Sequence, residues 1–403
     1  MTQKKLHHFT GSVDQNIQIT GSKSETNRLL ILQQLYANLD IENISNSDDS
    51  KLMQRALASD EKEINIGHAG TTMRFLTSLL ATKENNEVVL TGSGRMKERP
   101  IQILIDALRT LGADITCLEN EGFAPLLIKG KKLQGGKVRI DGNVSSQYIS
   151  SLLLIAPSLE NGMELEFEGA ITSIPYIEMT LSLLQNIGIS TSFEGQIIKV
   201  AAKKTIENKT ITVESDWSSA SYYYSLVAMS TSGKITLSAY KGKSLQGDSV
   251  LATIYKEFGV ISTFNEHTLT LEKDPSYQQA KKVAFDLIKA PDIAQTIAVT
   301  CFGMGIGCDL TGLHTLKIKE TDRLVALETE LGKLGATITI TDKTLHLEAA
   351  KQIKENISID TYQDHRMAMA FAPLLLKTKL VINEPEVVSK SYPTFWEDFE
   401  NFQ

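Results

Sequence analysis

The segment LGKLGATITI, residues 331–340, joins the end of an apolar-periodic helix to a β-branched strand through Gly335. The same order of helix, glycine and strand occurs in ALRTLGADITCL around Gly112, in LLQNIGISTSF around Gly188 and in IYKEFGVISTF around Gly259. These copies lie roughly 70 to 76 residues apart, and a regular spacing of this kind indicates an internal repeat. We therefore predict that the chain is built from repeated structural units.

Each copy has the pattern of a strand, a helix, a second strand, a second helix and a final hairpin, so about six copies would fill the chain. Strand segments such as 337–340 alternate polar and apolar side chains, which is typical of a sheet with one solvated face, and the helices are strongly apolar. Solenoid repeats are usually shorter, at about 20 to 45 residues. We predict an α/β (α+β) fold with two similar lobes, each made of three repeated β-α-β-α-β-β units with helices buried behind sheets.

A chain of 403 residues is too long for one ordinary core, so two domains are the default expectation. One junction is predicted at Thr20-Gly21, where the first strand gives way to a helix, and the other just before the helix that follows Asp216. The predicted lobes are residues 21–216 (N-terminal lobe) and residues 1–20 with 217–403 (discontinuous C-terminal lobe). Linkers between such lobes are where hinges form.

The composition excludes several classes of protein. A net charge of -7 argues against a general nucleic-acid binder, and the hydrophobic share of 42% is that of a soluble globular protein. The N-terminal sequence has no apolar signal core, and no run is long and apolar enough for a membrane span. Cys117, Cys301 and Cys308 lack the spacing of metal ligands or redox pairs. We expect a cytoplasmic monomer that acts on small molecules, without a metal, a cofactor, a nucleic-acid partner or a membrane.

The segment Lys319-Glu320-Thr321-Asp322-Arg323 is the densest group of charges at a predicted helix start. Apolar residues then recur at helical spacing through Leu334, so we predict that the five residues form the first turn of this helix. Carboxylates suit the positive end of a helix dipole, whereas two cations oppose it. Cations at such a place indicate a bound anion, and the alternative is a solvated, ion-paired first turn.

Other predicted helix or loop starts also carry cations, hydroxyls or amides. They are GSKSETNR (21–28), GHAGTTMR (67–74), GSGRMKERP (92–100), VSSQY (144–148), SIPY (173–176), DWSSASY (216–222), PD (291–292), DHR (364–366) and KSYP (390–393). Taken singly, each is explained by helix capping, and we interpret Gln246-Gly247-Asp248 as an ordinary loop. Helix N-termini and guanidinium groups also bind phosphate and carboxylate, so the whole set predicts an anion-binding site.

The cations at these starts form a set that a protein of net negative charge does not need for folding: Lys23, Arg28, Arg74, Arg99, Lys319, Arg323, Arg366 and Lys390. If the repeats orient their helices alike, the positive helix ends of both lobes converge on the inter-lobe cleft. The sequence therefore predicts an active site in that cleft, which binds one or two polyanionic small molecules.

Two carboxylates in this set are candidates for proton transfer, namely Asp292 and Glu320. The neighbouring acids Glu25, Glu98 and Asp364 are predicted to be ion-pair partners, as is Asp322. The chain has no cluster of His, Cys and carboxylates spaced for a metal, and no dinucleotide-binding fingerprint.

Taken together, the motifs GSKSETNR, GHAGTTMR, RMKERPI, VSSQ, SIPY, SDWSSASY, KETDR, DHRMAMA and SKSYPTF, with the PD of KAPDIAQTIA, are specific. In these motifs, their order and their separations, the chain resembles the EPSP synthase (3-phosphoshikimate 1-carboxyvinyltransferase) family of enolpyruvyl transferases over essentially its whole length. The resemblance implies a two-lobed fold with threefold repetition in each lobe. It implies transfer of the enolpyruvyl group of phosphoenolpyruvate to the 5-hydroxyl of shikimate 3-phosphate, by addition and elimination, in the shikimate pathway to chorismate and the aromatic amino acids.

The resemblance also implies roles for individual residues. Shikimate 3-phosphate would be held by Lys23, Ser24, Arg28, Ser145, Ser146, Gln147, Ser173, Tyr176, Asp292, Thr315 and Lys319. Phosphoenolpyruvate would be held by Lys23, Gly70, Arg99, Gln147, Arg323, Arg366 and Lys390. Asp292 would take the 5-hydroxyl proton and Glu320 would deliver and remove the proton at the methylene carbon, with Lys23 and Lys390 completing the catalytic set.

The sequence departs from the family pattern at His68 and Thr315, where asparagine is common, and at Glu25-Thr26, where small or apolar residues are common. These departures bear on affinity rather than on the reaction. One alternative is a UDP-N-acetylglucosamine enolpyruvyl transferase, which carries a loop cysteine near the position of Arg95–Arg99, where this chain has none. The other alternative is a non-catalytic anion-binding protein of the same fold.

Overall fold

The computed structural model of the chain describes residues 2–11, 13–171 and 174–402. The chain forms two compact units. The discontinuous unit comprises Met1–Gly21 and Glu214–Gln403, and the continuous unit comprises Ser22–Val213. That these units are the two lobes of an enzyme that closes on its substrates stays a prediction.

The strands are short, with the alternating burial of sheets that have one solvated face. In chain order they are β1 (Gln3–Leu6), β2 (Val13–Ile17), β3 (Leu39–Glu42), β4 (Glu63–Asn65), β5 (Glu87–Thr91), β6 (Asp114–Cys117), β7 (Leu126–Lys129), β8 (Gly136–Asp141), β9 (Met163–Glu168), β10 (Thr191–Glu194), β11 (Ile197–Val200), β12 (Lys209–Thr212), β13 (Gly233–Ser238), β14 (Val260–Asn265), β15 (Thr268–Lys273), β16 (Lys282–Asp286), β17 (Gly307–Thr311), β18 (Ile338–Ile340), β19 (Leu345–Leu347), β20 (Ile357–Ile359) and β21 (Leu380–Asn383).

The α-helices lie between these strands. They are α1 (Lys23–Leu35), α2 (Asp48–Leu57), α3 (Gly70–Thr82), α4 (Gly94–Lys97), α5 (Gln102–Thr110), α6 (Ser146–Ile155), α7 (Ile174–Asn186), α8 (Trp217–Met229), α9 (Leu251–Ile254), α10 (Ala294–Met304), α11 (Arg323–Lys333), α12 (His365–Phe371) and α13 (Phe395–Phe399). Short 3-10 segments extend several of them, among them Gly247–Val250 before α9 and Pro291–Ile293 before α10, and a separate 3-10 segment, Pro385–Lys390, follows β21.

Four four-stranded sheets share one topology. In the continuous unit their strand orders are β4-β5-β7-β6 and β8-β9-β11-β10. In the discontinuous unit the orders are β2-β13-β15-β14 and β16-β17-β19-β18. The first two strands of each sheet are parallel, and the last two form an antiparallel hairpin. A buried helix precedes the second strand of each sheet, and between β2 and β13 the chain also passes through the whole continuous unit. This is the predicted β-α-β-α-β-β repeat, which is confirmed.

The two remaining repeats are shorter than predicted. One consists of the parallel pair β12 and β3, and after α2 the chain runs directly into β4 without a hairpin. The other is a three-stranded sheet, β1-β21-β20, in which the N-terminal strand β1 pairs antiparallel with β21 and takes the place of the hairpin. A strand from a distant part of the chain can therefore complete a repeat, since a sheet requires only backbone pairing.

The core of each unit contains helices that are buried on every side. Every residue of α8 is buried, as are ten consecutive residues of α10, Ala294 to Gly303. In the continuous unit α3 and α6 are nearly as fully buried. A helix that is apolar all round belongs inside a core, whereas an outer helix such as α5 buries only one face. The predicted arrangement of helices behind sheets is thus confirmed. Within the described residues, no helix has the length and apolarity that spanning a membrane would require.

Candidate active site

Arg323 is the centre of a buried ion-pair cluster in the discontinuous unit. Its guanidinium is only 2% exposed. It donates from Nε to Asp364 Oδ2 at 2.6 Å, from Nη1 to Asp292 Oδ1 at 2.9 Å and from Nη2 to Glu320 Oε2 at 2.8 Å. Burial acts to lower the pKa of Arg323, but the three carboxylates outweigh it and raise the pKa above its usual value. The group is therefore a permanent cation that fixes three acids around it.

Asp292 lies in the short 3-10 turn Pro291–Ile293, and α10 begins directly after this turn, at Ala294. Besides Arg323, its Oδ1 contacts Lys319 Nζ at 3.2 Å and its Oδ2 lies 3.7 Å from Arg366 Nη2. Burial acts to raise the pKa of Asp292, but Lys319, Arg366 and Arg323 together hold it below its usual value. Asp292 is therefore an ionised carboxylate, which can accept a proton.

Glu320 bridges two cations. It contacts Arg323 through one oxygen and Lys390 Nζ through the other, the latter at 2.5 Å. Burial acts to raise the pKa of Glu320, but the charges of Arg323 and Lys390 outweigh it, and the pKa lies well below its usual value. Both candidate proton-transfer residues are thus ionised in this structure and share Arg323 as a partner.

The predicted position of the charged pentapeptide at the helix start is wrong by one turn. Helix α11 begins at Arg323, and Asp322 caps it by accepting from Leu324 N at 3.1 Å and Val325 N at 3.3 Å. Lys319 and Glu320 precede the helix because the Asp322 side chain satisfies its first N–H groups. Because neither residue is part of the helix, the Lys319 side chain contacts Asp292 and the Glu320 side chain contacts Lys390.

Asp364 has two roles, as the N-cap of α12 and as the partner of Arg323. It accepts from Arg366 N at 2.9 Å and is completely buried. Its predicted ion pairing is confirmed, and so is that of Glu98, which pairs with Arg95 at 2.8 Å. Because Asp364 caps α12, the first turn of that helix also presents Arg366 to Asp292.

Ser218, which lies in the predicted helix start DWSSASY, and Asp248 join this cluster. Ser218, in the first turn of α8, accepts from Arg366 Nη2 at 3.2 Å and donates to Asp248 Oδ2. Burial and the nearby charge of Asp292 raise the pKa of Asp248 to about 6. The segment Gln246-Gly247-Asp248, which we interpreted as an ordinary loop, therefore contacts this cluster through Asp248. A short loop has no periodicity, so no local signal indicates which distant helix it packs against.

Thr315 lies in the 3-10 segment His314–Ile318, just before the charged pentapeptide. Its hydroxyl oxygen is buried and has no hydrogen-bond partner among the described residues. An unpartnered buried hydroxyl is costly, so one is usually retained where it binds something else. The local geometry is compatible with the predicted ligand contact, which stays a prediction.

In the continuous unit, Arg28 links three helices. Its Nε donates to Thr180 on α7 at 2.8 Å, its Nη2 to Ser150 on α6 at 2.9 Å and its Nη1 to the Ser24 carbonyl of its own helix at 2.7 Å. The ring of Tyr176 faces the guanidinium at 5.8 Å. Burial lowers the pKa of Arg28 to about 10, and the group stays charged at neutral pH. The helices α1, α6 and α7 are thereby held together.

Lys23 is the first residue of α1 and pairs with Asp49. The distance from Lys23 Nζ to Asp49 Oδ2 is 3.5 Å, and the Asp49 side chain is buried. The other oxygen of Asp49 has no partner among the described residues. Asp49 was not among the predicted site residues, because it lies in the first turn of α2, after the cap Ser47, where an acid is common for helix stability alone.

Gly70 and Arg99 are in direct contact. A Cβ placed on Gly70, the first residue of α3, would lie 2.5 Å from Arg99 Nη1. Arg99 is exposed, and its side chain forms no hydrogen bond or ion pair with another described residue, so the guanidinium donors are available to a ligand. The predicted helix at Ile101 begins one residue later, at Gln102, and Arg99 belongs to the loop before it. The absence of a side chain at Gly70 is what lets the guanidinium lie against the helix start.

The start of α6 lies next to that of α3. Ser145 is the N-cap of α6 and accepts from Gln147 N at 3.4 Å, and the Gln147 side chain donates to Thr71 Oγ1 at 3.4 Å. Ser146 begins the helix and is buried. The predicted ligand residue Ser173 lies outside the described residues. Within the continuous unit, the other predicted site residues therefore sit at the first turns of α1, α3, α6 and α7 or beside them.

The fold is that of solved EPSP synthases. A structure of the EPSP synthase of Acinetobacter baumannii has a TM-score of 0.84 with this chain, at 20% sequence identity, and covers 99% of this chain and 98% of its own. A second structure of the EPSP synthase from the same organism has a TM-score of 0.83 at 19% identity. At such identities the likeness is one of fold.

The sequence comparisons identify the family. Residues 54–399 match the family model described as EPSP synthase (3-phosphoshikimate 1-carboxyvinyltransferase). The 3-phosphoshikimate 1-carboxyvinyltransferase of Bacteroides fragilis is 42% identical over 386 residues, which cover 95% of this chain and 93% of the relative. That of Haemophilus influenzae is 37% identical, with 96% of each chain covered. The chain belongs to the EPSP synthase family, so the predicted family and its fold are confirmed, and it is an enzyme of the transferase class.

Proposed function

We propose that this chain transfers the enolpyruvyl group of phosphoenolpyruvate to the 5-hydroxyl of shikimate 3-phosphate and releases phosphate. The observation that carries the proposal is the pairing of two ionised carboxylates, Asp292 and Glu320, around one buried arginine, Arg323. A binding protein has little use for a pair of acids that differ in their other partners. Membership of the EPSP synthase family supports the same reaction.

In the addition step, Asp292 accepts the proton of the 5-hydroxyl while the hydroxyl oxygen attacks the C2 carbon of phosphoenolpyruvate. Its low pKa keeps it ionised at neutral pH and thus ready to accept. Lys319 and Arg366, at 3.2 and 3.7 Å, limit its basicity in this structure. A substrate anion that draws these cations away raises the proton affinity of Asp292.

Glu320 gives a proton to the methylene carbon in the addition step and takes one back in the elimination step. As long as Arg323 and Lys390 bind it, Glu320 stays ionised and has no proton to give. When Lys390 binds a phosphate or carboxylate of the substrate instead, Glu320 loses one of the cations that lower its pKa. Burial, which raises the pKa of Glu320, then has the larger effect. Anion binding then converts Glu320 into an acid. The C–O bond to phosphate breaks in the second step, and the enol ether and phosphate are released.

The continuous unit supplies further anion contacts in this proposal. Arg99 is exposed and its donors are available, so it is suited to bidentate contact with the carboxylate or phosphate of phosphoenolpyruvate. Shikimate 3-phosphate is held by Lys23, Ser24, Ser145, Ser146, Gln147 and Tyr176. Two of these, Lys23 and Gln147, also contact phosphoenolpyruvate. Arg28 is bound on all three nitrogens by the protein, so its main contribution is to hold these helix starts in place.

The test is an assay of phosphate release with the purified full chain. Phosphate should appear only when shikimate 3-phosphate and phosphoenolpyruvate are both present. Replacing shikimate 3-phosphate by UDP-N-acetylglucosamine should give no release, because the loop of Arg95 and Arg99 lacks the cysteine of that sister family. Release with the UDP-sugar, or none with either pair, would refute the proposal.

A further inference from the structure

The loop Gln246-Gly247-Asp248 is anchored on the start of α8. The side chain of Gln246 accepts from Trp217 N at 2.9 Å and donates to the Ser215 carbonyl at 2.9 Å. Gln246 is buried, with 7% of its surface exposed. Two hydrogen bonds from a buried amide fix the loop against the helix start, so Asp248 has a defined place beside Ser218.

Asp248, Ser218 and Arg366 form a chain of contacts. The Ser218 hydroxyl donates to Asp248 Oδ2 and accepts from Arg366 Nη2 at 3.2 Å. A hydroxyl that donates to a carboxylate turns its lone pairs away from it, and here they face the guanidinium. The same nitrogen, Arg366 Nη2, lies 3.7 Å from Asp292 Oδ2. The contact of Arg366 Nη2 with Ser218 is thus shorter than its contact with Asp292, and the Ser218 hydroxyl is oriented by Asp248.

The charges around these groups differ in their response to pH. Asp248 faces Asp292, Arg366 and Asp216, in addition to the Ser218 hydroxyl, and burial with the charge of Asp292 raises its pKa to about 6. Arg366 faces Asp292, Tyr222, Asp248 and Asp216, and its pKa lies well above the usual value. The pKa of Asp292 is lowered instead. Of Asp248, Arg366 and Asp292, Asp248 is thus the group that changes charge in the mildly acidic range.

We propose that Asp248 is a positioning residue for Arg366, and that through the Ser218 hydroxyl it holds the guanidinium back from Asp292 so that it can bind the anionic groups of phosphoenolpyruvate. This inference rests on the proposed function. When Asp248 loses its charge, the hydroxyl is no longer oriented by a carboxylate and Arg366 moves onto Asp292. Arg366 is then no longer available to bind the substrate, and its charge makes Asp292 a weaker base.

The test compares the steady-state kinetics of the full-length wild type and Asp248→Asn across pH. Above about pH 7, the variant should raise KM for phosphoenolpyruvate roughly fivefold to tenfold, the difference between a charge-assisted and a neutral hydrogen bond. KM for shikimate 3-phosphate should change by less than about twofold. Below pH 6 the wild type should approach the variant, because its own Asp248 is then protonated. The substrates' phosphates titrate in the same range, so the ratio between variants at each pH is what counts.

Two further variants make the comparison sharp. Ser218→Ala removes the connecting hydroxyl and should raise the same KM, and the double variant should add little, since both changes break one chain of contacts. Ser218→Thr, which restores a hydroxyl, should recover most of the affinity. Asp14→Asn removes the same charge at an exposed position of β2 and should leave both KM values unchanged.

The outcomes separate this inference from the proposed function. If the wild type releases no phosphate with both substrates, the proposed function fails. If it does, an unchanged or lowered KM in Asp248→Asn overturns the inference, because a lowered KM would mean that Asp248 only repels the substrate. A KM ratio that does not fall at low pH, or fully additive single variants, also overturns it. Should Asp248→Asn not fold, Ser218→Ala and Ser218→Thr decide the question.

Discussion

The guanidinium of Arg323 and the carboxylate of Asp364 form a two-point ion pair inside the discontinuous unit. Nε lies 2.6 Å from Oδ2 and Nη2 lies 3.4 Å from Oδ1, and the two side chains are 2% and 0% exposed. The same carboxylate caps α12. One buried acid therefore fixes both the cation that holds Asp292 and Glu320 and the helix that carries Arg366.

Removing the charge of Asp364 should destabilise the protein. Breaking a buried ion pair by changing one partner costs about 3 to 5 kcal/mol, because the other charge is left buried without compensation. We expect Asp364→Asn to lower the free energy of unfolding by that amount in urea titrations. The matched control is Asp342→Asn, because Asp342 forms its ion pair with Lys317 in solvent, with 87% of the acid side chain exposed, and its loss should change stability far less. Equal losses in the two variants would contradict the central role of Asp364.

Neutral substitutes for the two proton-transfer candidates should abolish turnover and leave substrate binding. Asp292→Asn and Glu320→Gln should each lower kcat by about a hundredfold to ten-thousandfold, the usual contribution of a positioned acid or base. Phosphate release in single-turnover and steady-state assays measures the loss, and calorimetry with phosphoenolpyruvate checks binding. Glu328→Gln makes the same chemical change elsewhere on α11 and should keep normal activity. Near wild-type release in either of the first two variants would refute the assignment.

A side chain at position 70 should push Arg99 away from the start of α3. The Cβ of Gly70→Ala would lie 2.5 Å from Arg99 Nη1, and a long side chain yields to such a contact more easily than backbone does. We expect normal folding and a KM for phosphoenolpyruvate raised roughly tenfold, which corresponds to about 1.4 kcal/mol of lost contact.

Gly94→Ala is the control, since a Cβ at Gly94 meets no atom within 4 Å. Its KM should be that of the wild type. If Gly70→Ala also kept its KM, Arg99 would not be a ligand for phosphoenolpyruvate.

The buried amide of Gln295 should be a source of instability. Gln295, on α10, is 1% exposed, and neither its amide nitrogen nor its oxygen has a partner among the described residues. Because an unsatisfied buried polar group costs about 1 to 3 kcal/mol, the similarly sized apolar variant Gln295→Met should raise the free energy of unfolding by that order.

Thr300→Val is the control on the same helix, because it removes a buried polar group that does have hydrogen-bond partners. The Thr300 hydroxyl bonds Ser225 at 2.8 Å and the Thr296 carbonyl at 2.7 Å, so its loss should lower stability by about 1 kcal/mol. Thermal and urea unfolding measure both variants. A destabilised Gln295→Met would mean that the amide has a partner such as a bound water.

Much of the fold could be predicted because the evidence for it is local and repeated. The glycines at 112, 188, 259 and 335 all adopt positive φ between a helix and a strand, as the repeat pattern requires. Helix ends and strand alternation follow from residue type alone, so the β-α-β-α-β-β unit could be predicted from the sequence. The shortened repeats were not, since the pairing of β1 with β21 joins residues at opposite ends of the chain.

The candidate site was predicted in its residues but not in their arrangement. Charged helix starts are visible in the sequence, and the resemblance to the EPSP synthase family assigned them ligands, which stay predictions. Nothing local indicated that Asp322 caps α11 and leaves Glu320 outside it, or that Asp49 pairs with Lys23. The same holds for the contact of Asp248 with Ser218, two residues 30 positions apart.

The amino-acid sequence alone determined the repeat, the class of fold, the family and the set of charged residues, because periodicity, turn chemistry and motifs are properties of neighbouring residues. Only the tertiary structure decided which charges meet. Arg323 draws acids from three separate segments, and the protonation of Asp292, Glu320 and Asp248 follows from that meeting. The reason is physical: a pKa depends on burial and on charges a few ångströms away, and folding sets both of these.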